Sequence, residues 1–122
     1  MNKYLKIMPE YGCSPLWVSD NNRTFKNLDF RKVGSSLVNR IDVWNQLYQS
    51  TLNQEYPPES GFVNTIEIYN FEKEGIRIWK DLLNIYFNIA KITYWSIVFN
   101  RLFFNVNELN VELENWFSRA KL

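Results

Sequence analysis

From residue 34 onward, apolar side chains recur at helical spacing. Leu37, Ile41, Trp44, Tyr48 and Leu52 follow one another at steps of four, three, four and four, which aligns them along one face. This spacing predicts a helix over Ser36–Asn53. Ser35 or Ser36 can cap its start, and it must stop before Pro57-Pro58, because proline lacks the amide proton and restricts the residue before it. A second stripe runs through Ile68, Phe71, Gly75, Trp79, Leu82 and Tyr86, and Asn64 and Glu67 stand ahead of it at capping-box spacing. Glycine in that stripe costs about 1 kcal/mol of helix propensity. The cost is tolerable if Gly75 lets the backbone approach a neighbour closely. Arg77 and Asp81, at i and i+4, read as a weak surface pair. A third helix is expected near Glu108–Arg119, with Leu109, Leu113, Trp116 and Phe117 on its apolar side.

The remaining segments read as strands and turns. Lys3–Met8 alternates in part and enters a turn at Pro9 and Tyr11-Gly12; Leu16–Ser19 is a second short strand, closed by Asp20-Asn21-Asn22. Arg23–Gly34 reads as an irregular stretch pinned by Phe25, Leu28 and Phe30. Ile89–Val98 is β-branched and aromatic without a breaker, so it is expected to be a strand buried on at least one face. Phe99–Phe104 either continues the sheet after a turn at Asn100-Arg101 or crosses as an irregular link. Between the first two helices, Asn53–Gly61 is a loop with a stiff centre. The expected fold class is α+β. A small sheet, from the N-terminal strands and the strand near 89–98, is packed by two long helices, with an extra C-terminal helix. No repeat or linker divides residues 1–122, which read as one domain.

Composition narrows the chemistry. Hydrophobic residues make 46% and aromatic residues 17% of the 122 positions, an aromatic excess that supplies a core and leaves rings for a binding face. The sequence holds no histidine and one cysteine, Cys13. Ser–His–Asp and Cys–His nucleophilic arrangements therefore cannot be assembled within the chain, nor can a self-contained zinc or iron–sulfur site. Cys13 reads as a small core residue. The four glycines are scattered, so no phosphate-cradling loop exists. Glu72 and Glu74 point to different sides of one helix, and Glu55 and Glu59 flank the prolines, so no facing carboxylate pair is indicated. No catalytic residue, metal ligand or cofactor is expected. The most apolar stretch, Ile89–Val106, is interrupted by Lys91, Asn100 and Arg101, against about 20 unbroken apolar residues for a membrane span. A lone thiol and an N-terminus without an apolar leader suggest a cytoplasmic protein.

Formal net charge is +1, but it is unevenly spread. Residues 1–40 carry seven basic and three acidic side chains, whereas residues 41–75 carry six acidic groups against Lys73 alone. Lys3, Lys6, Arg23, Lys26, Arg31 and Lys32 lie among Tyr4, Trp17 and Phe25, yet solvated lysines and core aromatics explain that mixture more simply than nucleic-acid binding does.

Three stretches carry a resemblance: YGCSPLW at Tyr11–Trp17, WNQLYQSTLNQEYPPESGF at Trp44–Phe62, and FEKEGIRIWKDL at Phe71–Leu82. In this order, after an initial strand, they resemble small bacterial immunity proteins of polymorphic-toxin and contact-dependent growth inhibition systems. The resemblance covers about residues 3–96, and residues 97–122 look like an addition to the pattern. It implies a non-catalytic protein that neutralises a cognate toxin C-terminal domain, expected to be a nuclease, by covering a functional surface. Glu55, Glu59, Glu67 and Glu74 would then steer the encounter with a basic toxin, and Tyr56 would be an aromatic contact. A homodimeric interaction protein, paired through the aromatic C-terminal helix, is the main alternative.

Overall fold

The structure, a computed structural model, describes residues 3–34, 36–86, 88 and 90–120. Its sheet contains β1 (Tyr4–Ile7), β2 (Leu16–Ser19), β3 (Lys26–Leu28), β4 (Lys91–Ser96) and β5 (Arg101–Phe103), in the order β3-β2-β1-β4-β5. β1 and β4 are parallel and every other pair is antiparallel. A parallel pair requires a long crossover, and here the two first helices supply it. The register aligns Leu5 with Val18 and Ile92, Ile7 with Leu16 and Tyr94, and Tyr94 with Phe103. Leu5, Ile7, Leu16, Ile92, Tyr94 and Phe103 are all buried, so this face of the sheet meets the core. The fold is α+β.

Three helices lie over that face: α1 (Leu37–Gln49), α2 (Thr65–Tyr86) and α3 (Val106–Ala120). Trp44 and Trp79 sit at the centre, each with 1% of its surface exposed. Trp44 stacks on Phe71 at 4.6 Å and Trp79 stacks on Tyr94 at 5.5 Å. Each buried indole N–H finds a carbonyl, Trp44 donating to Phe71 O at 2.8 Å and Trp79 to Ile92 O at 3.1 Å. α2 runs for 22 residues and buries a broad stripe because the sheet, α1 and α3 all pack on it. Gly75 faces Tyr94, and a Cβ there would run into the phenol, with two ring carbons at 2.8 Å. This is the close approach that offsets the lost propensity.

Local chemistry sets the helix ends. Asn64 Oδ1 accepts from Glu67 N at 2.8 Å at the start of α2, and Asn105 Oδ1 accepts from Glu108 N at 3.0 Å at the start of α3. Ser36 makes no such bond at α1, and Ser35 lies outside the described residues. α1 ends at Gln49, four residues short of the expected Asn53. Ser50 and Thr51 donate their hydroxyls back to Leu47 O and Tyr48 O at 2.7 and 2.6 Å, taking carbonyls that further turns would need.

Two other expectations are corrected. Arg23–Gly34 is not irregular throughout: it holds β3 and a 3-10 turn at Phe30–Val33. Asn27 fixes β3 by donating to Ser14 O and Leu16 O at 2.7 and 3.0 Å. The surface pair expected between Arg77 and Asp81 gives way to a tertiary contact. Arg40 of α1 binds both Asp81, at 2.5 Å, and Glu74, at 3.2 Å, while Arg77 turns back to Glu74 at 3.6 Å. Of the two readings of Phe99–Phe104, the sheet continuation holds: the chain turns after Ser96, Asn100 adopts φ 54°, and β5 follows. β4 itself is shorter than Ile89–Val98, and Ile89 lies outside the described residues.

Candidate partner-binding surface

The end of α1, the connecting loop and the first half of α2 line a groove of about 590 Å³. Leu47 of α1, Phe62 and Val63 of the loop, and Phe71 of α2 form its apolar lining. Glu59, Glu67 and Glu74 stand on its rim, so the structure brings three of the five expected contact residues to one place. Glu67 and Glu74 fall on one side of α2 because seven residues make two helical turns.

The loop has internal order. Asn53 Oδ1 accepts from the backbone N–H of Glu55 and Tyr56, at 3.1 and 2.9 Å, and Asn53 N donates to Ser60 Oγ at 2.7 Å. Glu59 N and Ser60 N donate to Tyr56 O and Pro57 O, closing a 3-10 turn over Pro57–Glu59, and Gly61 N reaches Thr51 O at 3.0 Å. Fixed φ at two prolines and this set of bonds hold the loop's side chains in place before any partner arrives. Tyr56 remains 51% exposed, so about half of its surface stays open to a contact.

The electrostatics separate the five residues. Among the described residues, the Glu55, Glu59 and Glu67 side chains make no ion pair or hydrogen bond. Glu74 differs: its carboxylate is shared between Arg40 and Arg77, so it presents a compensated pair. Apolar neighbours accompany the free carboxylates. Val63 is 89% exposed and Ile66 63%, and Val43 and Leu47 stand one turn apart on the outer side of α1. Large exposed apolar groups bounded by charge mark interaction surfaces.

A second constellation escaped the sequence reading. Glu72, weighed there as one of six acidic groups and as a carboxylate that does not face Glu74, is completely buried. It accepts hydrogen bonds from Tyr94 Oη and Ser96 Oγ of β4, and from Val98 N at 3.3 Å. Among the described residues no cation joins them, and desolvation pushes the Glu72 carboxyl up from its ordinary value despite these donors. Burial likewise raises the Tyr94 phenol, with the adjacent carboxylate adding to it. The available signal was positional: Glu72 and Trp79 are seven apart, so the acid lies along the buried stripe. With no solvent access it cannot meet a substrate, and it acts by tying α2 to β4.

The structure also places Cys13, Arg31 and the aromatic residues of α3. Cys13 is not in the core; it is half-buried on the β1–β2 connection. Arg31 leaves the basic cluster by pairing with Asp29 at 2.7 Å. The aromatic residues of α3 are engaged inside the molecule, Phe117 stacking on Tyr69 at 3.9 Å and Trp116 packing on the core. Among the described residues no helix is long and apolar enough to cross a membrane, and no group of acidic or thiol side chains could hold a metal ion.

Comparison with curated protein sequences returned no match. The family described as Serratia CdiI immunity protein-like matches residues 3–97. That match contains β1 to β4, α1, α2 and the whole groove, and it stops before β5 and α3. Well over half of the chain is covered, and the chain therefore belongs to the Serratia CdiI immunity protein-like family, as an immunity protein against a toxin of contact-dependent growth inhibition.

Proposed function

We propose that this protein neutralises its toxin in the cytoplasm by docking the acidic rim and apolar lining of the α1–α2 groove onto a basic, nuclease-type toxin domain. One observation carries the reading: the uncompensated carboxylates of Glu59 and Glu67 line a groove with the exposed Val63, and Glu55 and Tyr56 stand on the adjoining loop, which its own hydrogen bonds order. The two sets have different jobs. Carboxylates at the rim accelerate encounter with a positively charged surface, while Tyr56, Val63 and Ile66 supply area removed from water once contact is made. Net charge of +1 gives no global attraction, so steering depends on this local field. No chemistry by the immunity protein is required.

Reversing charge at Glu55 and Glu59 together, as Glu55→Lys with Glu59→Lys, is expected to slow association with the toxin domain about tenfold at low salt. Stability should stay within about 0.5 kcal/mol, since exposed, unpaired side chains contribute little to folding. Stopped-flow association and urea unfolding of the same preparation separate the two effects. Unchanged association kinetics at low salt would remove the support for this surface.

A further inference from the structure

The face of the sheet turned away from the helices has a composition of its own. Alternation places Tyr4 and Lys6 of β1, Trp17 of β2, and Lys91, Thr93 and Trp95 of β4 on that side. Each keeps part of its surface in solvent, whereas their inward neighbours Leu5, Ile7, Ile92 and Tyr94 are buried. The register makes the set contiguous: Trp17 lies opposite Lys6, Lys6 opposite Thr93, Tyr4 opposite Lys91, and Trp95 opposite Leu102 of β5. Trp17 Nε1 donates to Met8 O at 2.9 Å, which lays the indole along β1. Lys6 Nζ sits 4.3 Å from the centre of the Phe25 ring, so the cation lies across the outer side of β2. None of these positions is acidic.

Aromatic rings and cations without carboxylates, on a sheet face, match the two needs of an unpaired nucleotide chain. Every base offers a π-face to a ring, and every linkage offers a phosphate to an ammonium group. From Tyr4, opposite Lys91, to Trp95 is about 13 Å along the strands at 3.3 Å per residue. That length suits the two or three bases such sheets stack. The groove proposed for the toxin carries the opposite charge, and the two surfaces approach each other only at Trp95, which shares a cavity with Glu10, Gly61 and Phe62.

We propose that the outer sheet face binds single-stranded nucleic acid, with Tyr4, Trp17 and Trp95 stacking bases and Lys6 and Lys91 meeting phosphates. A duplex cannot stack on these rings and binds more weakly.

The test uses the full chain and a fluorescein-labelled oligouridylate, followed by anisotropy. Two phosphate contacts predict a salt slope near −1.4, so affinity should fall about sevenfold between about 50 and 200 mM salt. Trp95→Leu keeps apolar cover while removing the ring face, and it should weaken binding about tenfold. Lys6→Glu with Lys91→Glu alters exposed or half-exposed side chains only and should abolish binding without moving the unfolding midpoint. The lysine variant should still bind the toxin domain with unchanged kinetics. Absence of binding at low salt, binding that survives the lysine reversals, or equal affinity for duplex would each overturn the proposal. So would loss of toxin binding in the lysine variant, which would make this face the protein-docking surface.

Discussion

Gly75→Ala is expected to destabilise the protein by about 3 kcal/mol, although alanine is the better helix former. Two effects oppose each other. Alanine recovers about 1 kcal/mol of propensity in a helix interior. Against this, its methyl group would meet the Tyr94 phenol, with ring carbons at 2.8 Å. A flexible surface side chain would swing away, but Tyr94 is fully buried, stacked on Trp79 and bonded to Glu72. Overpacking a rigid core costs about 1–3 kcal/mol and more where nothing can yield. Sterics should therefore win. Tyr94→Phe removes the clashing oxygen, so the double variant should be more stable than the sum of the two single changes predicts. Urea unfolding of the four proteins measures this directly. A Gly75→Ala protein as stable as the parent would show that α2 and β4 are not in the close contact described.

Glu72 gives the second large effect, and its sign depends on pH. Burial holds its folded-state pKa above the unfolded value near 4.5. Between those two values the folded protein binds more protons than the unfolded chain. Stability from this group is thus fully present below the unfolded pKa and is lost as pH rises through the folded one. Glu72→Gln reproduces the protonated form: its oxygen can accept from Ser96 and Val98 while its amide donates to Tyr94 Oη. The variant should match or exceed the parent at neutral pH and lose this part of the pH dependence. Glu72→Ala leaves two buried hydroxyls without their partner and opens a cavity, at a cost of about 2–4 kcal/mol. If Glu72→Gln proved much less stable than the parent near pH 7, the ionised carboxylate would be the form the core requires.

How far the sequence foretold this molecule depended on how local each determinant was. The stripes through Trp44 and Trp79 located α1 and α2 because one face of each helix meets the core. The same reasoning placed Leu109 and Leu113 of α3 inward, and both are fully buried. β3 was hidden because Lys26 and Asn27 show no apolar alternation at a sheet edge; a side-chain bond to a neighbouring strand makes it. Arg40 was invisible as a hub because its partners, Glu74 and Asp81, come from another helix 34 and 41 positions away. The burial of Glu72 was hidden for a related cause, since only the hydroxyls of β4, a distant element, explain it.

The expected contact residues divide along the same line. Loop chemistry at Asn53–Gly61 is local, so a displayed, stiff segment carrying Glu55, Tyr56 and Glu59 could be anticipated. That Glu67 would join Glu59 on one groove, and that Glu74 would be drawn to arginines, depends on how α1 packs on α2. β5 and α3 add a further lesson. They lie beyond the family match, yet Phe103 is as deeply buried as Ile7 of β1, so they share one core with the matched region.

Amide hydrogen exchange of the chain, free and saturated with its toxin domain, tests the interface most directly. Slower exchange confined to Asn53–Glu67 and the end of α1 is the predicted result. Protection limited to the Tyr11–Ser14 turn and Arg23–Leu28, with Asn53–Glu67 exchanging as in the free protein, would contradict it.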